Sequence, residues 1–242
     1  MIQLGNPHVV VREVGLRDGL QSIQTNLPTA HKLAWICAAY AAGQREIEVG
    51  SFVPAKLLPQ LADTAELVAH ANTLPGLVSS VLVPNLKGAD RAIEAGAHSM
   101  LIPMSASRAH SIANVRKTPE EMLRTIAAIR TSRDAASSKT RIEVGMSTAF
   151  GCTLQGEVPE QDVISFLQGA LDAGADCVSL ADTVGYADPG HVRRLLERAL
   201  RAVGDRLSGA HFHDTRGLAL ANTVAARAHG CRESVPRRGG RL

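Results

Sequence analysis

Residues 172–180 read DAGADCVSL: a polar helix end, a glycine, then a short apolar strand that starts at a cysteine and a β-branched valine. The same change of period recurs along the chain, several times around an "AG" pair. Working outward, strand candidates fall at 8–14, 45–49, 78–83, 98–102, 140–146, 176–180 and 209–213. Helical patterns lie between them at about 29–42, 57–72, 86–95, 118–136, 160–173, 188–203 and 217–229. Strict alternation of strand and helix implies parallel strands joined by right-handed crossovers. Seven such units within 242 residues fit a TIM-type (β/α)8 barrel better than an open doubly wound sheet, and no G-x-G-x-x-G follows the first strand.

The strand count falls one short of the eight that a closed barrel needs. Where the eighth unit should stand, the sequence runs HGCRESVPRRGGRL from 229 to 242. The reading is therefore an incomplete barrel domain over residues 1–230, lacking most of its eighth β/α unit, with a truncated or frame-disrupted end. Residues 231–242 are read as a basic, disordered tail. That tail also explains the net charge of +3: it holds four arginines and one glutamate, which leaves 22 basic and 22 acidic residues elsewhere. A nucleic-acid-binding protein would carry its excess over a folded face, so that class is set aside.

Composition narrows the setting further. No apolar run approaches the roughly 20 residues that cross a bilayer, and no basic-then-apolar leader opens the chain. Cys37, Cys152, Cys177 and Cys231 are widely spaced and form no C-x-x-C pair. That spacing points to reduced thiols in the cytoplasm rather than to a disulfide frame or a zinc knuckle. Aromatic residues make up only 3% of the chain, so aliphatic side chains must fill the core.

In a barrel of this type, chemistry collects at the C-terminal ends of the strands. Arg17 and Asp18 follow the first strand, Glu48 closes the second, Asp182 follows the sixth, and His211 and His213 end the seventh. An H-x-H pair on a strand puts both rings on one face. With a carboxylate from another strand end, two imidazoles make a divalent metal site whose mixed nitrogen and oxygen donors suit Mg2+ or Mn2+ better than zinc. Taken singly, each feature has a plainer reading: a local ion pair for Arg17 and Asp18, a polar strand end for Glu48, a turn cap for Asp182. Their shared position at one end of the barrel favours the functional reading. His8, His31, His70, His98, His110, His191 and His229 are left as solvent-facing or core residues.

These residues also carry a family resemblance. REVGLRDGLQ (12–21), IEVGSFVPAKLLPQLAD (47–63), VPNLKGADRAIEAGA (83–97), SLADTVGYADPG (179–190) and HFHDTRGLALANTVAA (211–226) resemble successive signatures of the hydroxymethylglutaryl-CoA lyases. These are metal-dependent TIM barrels related to the isopropylmalate and homocitrate synthases. Gly15 and Leu20 stand where the synthases carry threonine and glutamate, which favours the lyase branch. The resemblance implies cleavage of 3-hydroxy-3-methylglutaryl-CoA to acetyl-CoA and acetoacetate. Asp18, His211 and His213 would hold the cation, Arg17 would meet the substrate and stabilise the enolate, and Glu48 and Asp182 would shape the site.

The chain departs from the family in three places. The asparagine ligand and the catalytic cysteine that the family carries beyond strand seven are not found. Cys152 is followed by Thr153 rather than proline, and residues 103–122, PMSASRAHSIANVRKTPEEM, differ in a substrate-facing segment. The expectations are thus an acyl-CoA lyase, a paralogue acting on a related 3-hydroxyacyl-CoA, or a remnant that binds metal with little turnover. The partner is an acyl-CoA, with no nucleic acid and no membrane, and the reading leaves room for a homo-oligomer.

Overall fold

The computed structural model describes residues 9–228 and the backbone of 233–237. His8, His229 and Cys231 lie outside the described residues. In chain order the elements are α1 (Thr29–Ala41), β1 (Glu46–Ser51), α2 (Thr64–Ala71), β2 (Val78–Leu82), α3 (Leu86–Glu94) and β3 (Ser99–Ser105). There follow α4 (Arg108–Val115), α5 (Pro119–Ala135), β4 (Arg141–Ser147), α6 (Glu160–Asp172), β5 (Cys177–Asp182), α7 (Pro189–Val203), β6 (Leu207–His213), α8 (Ala219–Ala228) and β7 (Glu233–Arg237). The strands form one sheet in the order β1 to β7, every pair parallel. This is the alternating α/β architecture expected of a TIM-type barrel.

The ladder begins before β1. Glu13 bridges Ile47 in parallel, with Glu13 N donating to Glu46 O at 3.0 Å and Glu48 N donating to Glu13 O at 2.8 Å. Over the described residues the expected strand at 8–14 is represented by two bridge residues, Val10 and Glu13, the latter paired with Ile47. The chain leaves it at Val14 to enter a π-helical turn, Gly15–Gly19.

At the other end the structure corrects the sequence reading. Glu233–Arg237, read as unstructured, pairs with β6 from Gly209↔Glu233 to His213↔Arg237. The strand is hidden in sequence because Pro236 and the flanking arginines break any alternation of polar and apolar residues. Its pairing is tertiary: an unpaired sheet edge is a row of donors and acceptors, and proline is tolerated on such an edge strand. A strand of the eighth unit is therefore present, while no helix after it occurs among the described residues.

Period two sorts the side chains. On β4, Ile142, Val144 and Met146 are fully buried in the apolar core shared with α5 and α6, whereas Glu143, Gly145 and Ser147 face a cavity inside the sheet. On β5, Val178 and Leu180 take the core side and Ser179 and Ala181 the cavity side; on β6, Phe212 lies in the core between His211 and His213. The sheet curls far enough for distant strands to touch across its interior. Arg12, ahead of β1, donates from Nη2 to Glu143 on β4 at 2.7 Å and from Nε to Glu46 at 2.9 Å. Ser179 donates to the other Glu143 oxygen at 2.7 Å. The floor of the cavity is this buried polar network. Burial pushes Glu143 toward its neutral form, but the Arg12 charge and hydrogen bond outweigh it and hold the carboxyl below its usual range.

Candidate metal centre and active site

The π-helical turn aims two adjacent charged side chains into the cavity. Asp18 N and Gly19 N both donate to Val14 O, at 2.8 and 3.3 Å, and Gly15 N donates to Glu13 Oε1 at 2.6 Å. A Cβ at position 15 would stand 2.6 Å from both Glu13 Oε1 and the Trp35 ring, so any larger residue there needs those side chains to shift. Arg17 and Asp18 are consequently buried side by side.

Arg17 is clamped. Its Nε and Nη2 donate to the two oxygens of Glu48 at 2.7 and 3.1 Å, and its Nη1 donates to Asp18 Oδ1 at 2.9 Å and to Gln21 Oε1 at 3.4 Å. A guanidinium has five N–H donors, so one Nη2 proton is left without a protein partner among the described residues. Burial disfavours the charge, yet Glu48 and Asp18 overcome that cost and raise the Arg17 pKa above its ordinary value. The cation is permanent and its plane is fixed.

Because Asp18 Oδ1 holds Arg17, Oδ2 turns to β6. It lies 3.9 Å from His211 Nε2 and 3.8 Å from His213 Nε2. The two rings meet edge to face with centroids 4.8 Å apart. One carboxylate oxygen and two imidazole nitrogens all fall within 4.8 Å of one another, the single such cluster among the described residues. This donor set fits a divalent cation: three protein ligands of mixed nitrogen and oxygen leave coordination positions for water and substrate oxygens. A cavity of about 1050 Å3 opens onto the centre, lined by Arg17, Asp18, Glu48, His211 and His213 together. That size suits an organic ligand rather than a bare ion.

Five of the six expected site residues therefore converge. Glu48 is placed where the sequence reading had it, but it touches Arg17 and acts by holding that side chain. Asp182 is the exception. It sits on β5 one residue beyond cavity-facing Ala181 and so points to the other side of the sheet. Its Oδ1 accepts from Tyr186 N at 2.8 Å and its Oδ2 from Ala187 N at 3.1 Å. Burial raises its pKa, opposed by those backbone hydrogen bonds. The plainer reading, a turn cap ahead of α7, describes its contacts.

Several cavity residues were not singled out from sequence. Arg12 and Glu143 sit in strand-like runs, and the available signal was a charge at an inward position, as in RIEVGMS. His110, set aside as solvent-facing or core, lines the cavity with Asn85 and Lys117. It lies on α4, which periodicity did not reveal because only Ser111 of that helix is buried.

The chain is similar to known proteins in both sequence and fold. Residues 8–234 match the HMGL-like family model. The chain is 36% identical over 218 residues to hydroxymethylglutaryl-CoA lyase YngG of Bacillus subtilis, covering 90% of this chain and 72% of that protein. It is also 36% identical over 219 residues, with the same coverage, to the 3-hydroxy-3-isohexenylglutaryl-CoA/hydroxymethylglutaryl-CoA lyase of Pseudomonas aeruginosa. Among solved structures, a hydroxymethylglutaryl-CoA lyase from P. aeruginosa superposes with a TM-score of 0.88 at 34% identity, covering 95% of this chain and 76% of that one. An HMG-CoA lyase from Acinetobacter baumannii in complex with coenzyme A and 3-methylmalate gives 0.85 at 35%, covering 95% and 74%.

Proposed function

The chain belongs to the HMGL-like family, and on that premise we propose that it is an acyl-CoA carbon–carbon lyase cleaving 3-hydroxy-3-methylglutaryl-CoA to acetyl-CoA and acetoacetate. The observation that carries this reading is the convergence of Asp18, His211 and His213 next to a clamped Arg17 in one cavity.

The reaction breaks the C2–C3 bond of a 3-hydroxyacyl thioester. The 3-hydroxyl must lose its proton as the C3 carbonyl forms, and the electron pair of the broken bond passes to the thioester as an enolate. The enolate takes up a proton at C2 to become acetyl-CoA, so no net proton is gained or lost. A bound Mg2+ or Mn2+ would lower the pKa of that hydroxyl. Asp18 Oδ2, His211 Nε2 and His213 Nε2 would hold the cation. Arg17 presents its remaining N–H where negative charge develops on the thioester oxygen, and a donor fixed in advance needs no reorganisation during reaction. Glu48 keeps the guanidinium plane in place through two hydrogen bonds. The substrate carbonyl therefore meets a donor already oriented.

A related 3-hydroxyacyl-CoA is the second reading, favoured by the dual name of the P. aeruginosa relative. Cytoplasmic residence remains part of the proposal, supported by the free thiols of Cys37 and Cys152. No helix among the described residues is long and apolar enough to cross a membrane. Self-association is supported by the outward face of α8, where Leu220 is 64% and Val224 68% exposed.

The test is acetyl-CoA release from 3-hydroxy-3-methylglutaryl-CoA, with the isohexenyl homologue in parallel and Mg2+ or Mn2+ supplied. Metal-dependent release from either substrate is expected. Binding of metal with no release from either would support the remnant reading and contradict the lyase.

A further inference from the structure

Away from the Asp18–His211–His213 centre, one stretch of cavity wall carries polar chemistry that the lyase reading leaves unused. β3 ends at Ser105, and Ser105 Oγ lies 2.6 Å from His110 Nδ1. The ring is thus fixed through one nitrogen, and Nε2 has no hydrogen-bond partner among the described residues. The helix start beneath it is braced: His110 N donates to the N-cap Ser107 Oγ at 3.2 Å, Ser107 Oγ donates to Gln155 at 2.9 Å, and Ser107 N donates to Thr148 at 3.1 Å.

At the far end of α4, Arg116 takes a left-handed φ of 55° and the chain doubles back. Ser111 Oγ donates to Lys117 O at 2.7 Å, which brings Lys117 beside the turn that carries His110. Lys117 Nζ donates to Thr125 Oγ1 at 2.7 Å. It forms no ion pair among the described residues, whereas the cavity acids Asp18, Glu48 and Glu143 are each paired with an arginine. His110 and Lys117 line the same cavity.

We propose that His110 and Lys117 form an anion-recognition subsite of this cavity, taking an anionic group of the acyl-CoA substrate. The inference rests on the acyl-CoA reading above. A partly buried ammonium without a counter-charge gains most from a charge-assisted hydrogen bond to an incoming anion. Burial lowers the His110 pKa, which favours the neutral ring. When Ser105 donates to Nδ1, that ring carries its one proton on Nε2 and is a donor there. Two groups of the substrate share the required chemistry: a free carboxylate on the acyl chain and the phosphates of the carrier.

Calorimetric titration of the 242-residue chain with 3-hydroxy-3-methylglutarate and, separately, with coenzyme A distinguishes them. His110→Ala and Lys117→Met are each expected to weaken one ligand at least tenfold and the other less than twofold, and the affected ligand identifies the source. Both ligands binding both variants as tightly as the parent would overturn the subsite. So would equal weakening of both ligands, the mark of a general disturbance. A parent chain that binds neither ligand would remove the acyl-CoA reading itself, and the inference with it. Ring-nitrogen NMR of His110 in the unmutated chain provides a check free of folding effects. Its resonances should shift on adding the ligand identified, and unmoved resonances would refute the assignment.

Discussion

At the scale of single residues, the site is a chain of charges in which each member fixes the next. Glu48 orients Arg17, Arg17 holds one oxygen of Asp18, and the other oxygen faces His211 and His213. Replacing Arg17 with lysine keeps the charge but loses the planar fork, so the bidentate hold of Glu48 cannot form. The expected outcome is a kcat for acetyl-CoA release lowered about 100-fold, the size of losing one preorganised donor, with Mn2+ affinity within about twofold of the parent. A near-normal kcat would reduce Arg17 to a structural ion pair. Glu143 makes a second residue-scale prediction. Its folded-state pKa lies below the ordinary carboxylate value, so its stabilisation is complete above that value and is lost as pH falls through the folded pKa. Glu143→Ala leaves Arg12 with Glu46 as its remaining named partner and should cost about 3 kcal/mol near pH 7. Urea titrations should find the gap between parent and variant narrowing in acid; a gap independent of pH would contradict the pairing.

Elements show what local pattern encodes and what it hides. Helices expected at 29–42, 86–95, 118–136 and 160–173 form as Thr29–Ala41, Leu86–Glu94, Pro119–Ala135 and Glu160–Asp172. These have clear boundaries, such as the capping box of Thr118 and Glu121 on α5. The pattern at 57–72 holds as α-helix only from Thr64; Pro59–Leu61 form a separate 3-10 turn, and the proline at its start keeps a helix from running back to 57. The shared face of His211 and His213 was legible because strand-end position and period two are both written locally, whereas Asp18 as their partner was implied by the family resemblance. α4 was not legible, because it buries only Ser111. Asp182 turns to the nearby backbone of Tyr186 and Ala187, which its strand-end position alone did not reveal. The eighth-unit strand was not legible either, since it depends on pairing with β6, distant in sequence. Gly50 tests one such dependence. A Cβ there would strike the Thr64 side chain, which itself bonds the backbone of Ser51 and Leu61. Gly50→Ala should therefore destabilise by about 1–3 kcal/mol, as overpacking does. A thermal melt unchanged from the parent would mean that α2 does not press on β1 this closely.

For the molecule as a whole, the proposed metal centre is a test of whether the two ends of the sheet meet. Asp18 enters from the segment that pairs with β1, and the histidines enter from β6, itself flanked by β7. No neighbour in sequence brings them together; the curl of the sheet does, with Arg12 and Glu143 bridging its floor. An ion bound by groups from both ends should stabilise the folded chain by mass action. Calorimetric titration of Mn2+ into the 242-residue chain and its His213→Ala variant tests this most directly. The account predicts binding by the parent, and affinity at least tenfold weaker in the folded variant, about 1.4 kcal/mol. Equal affinity in the two proteins would contradict it.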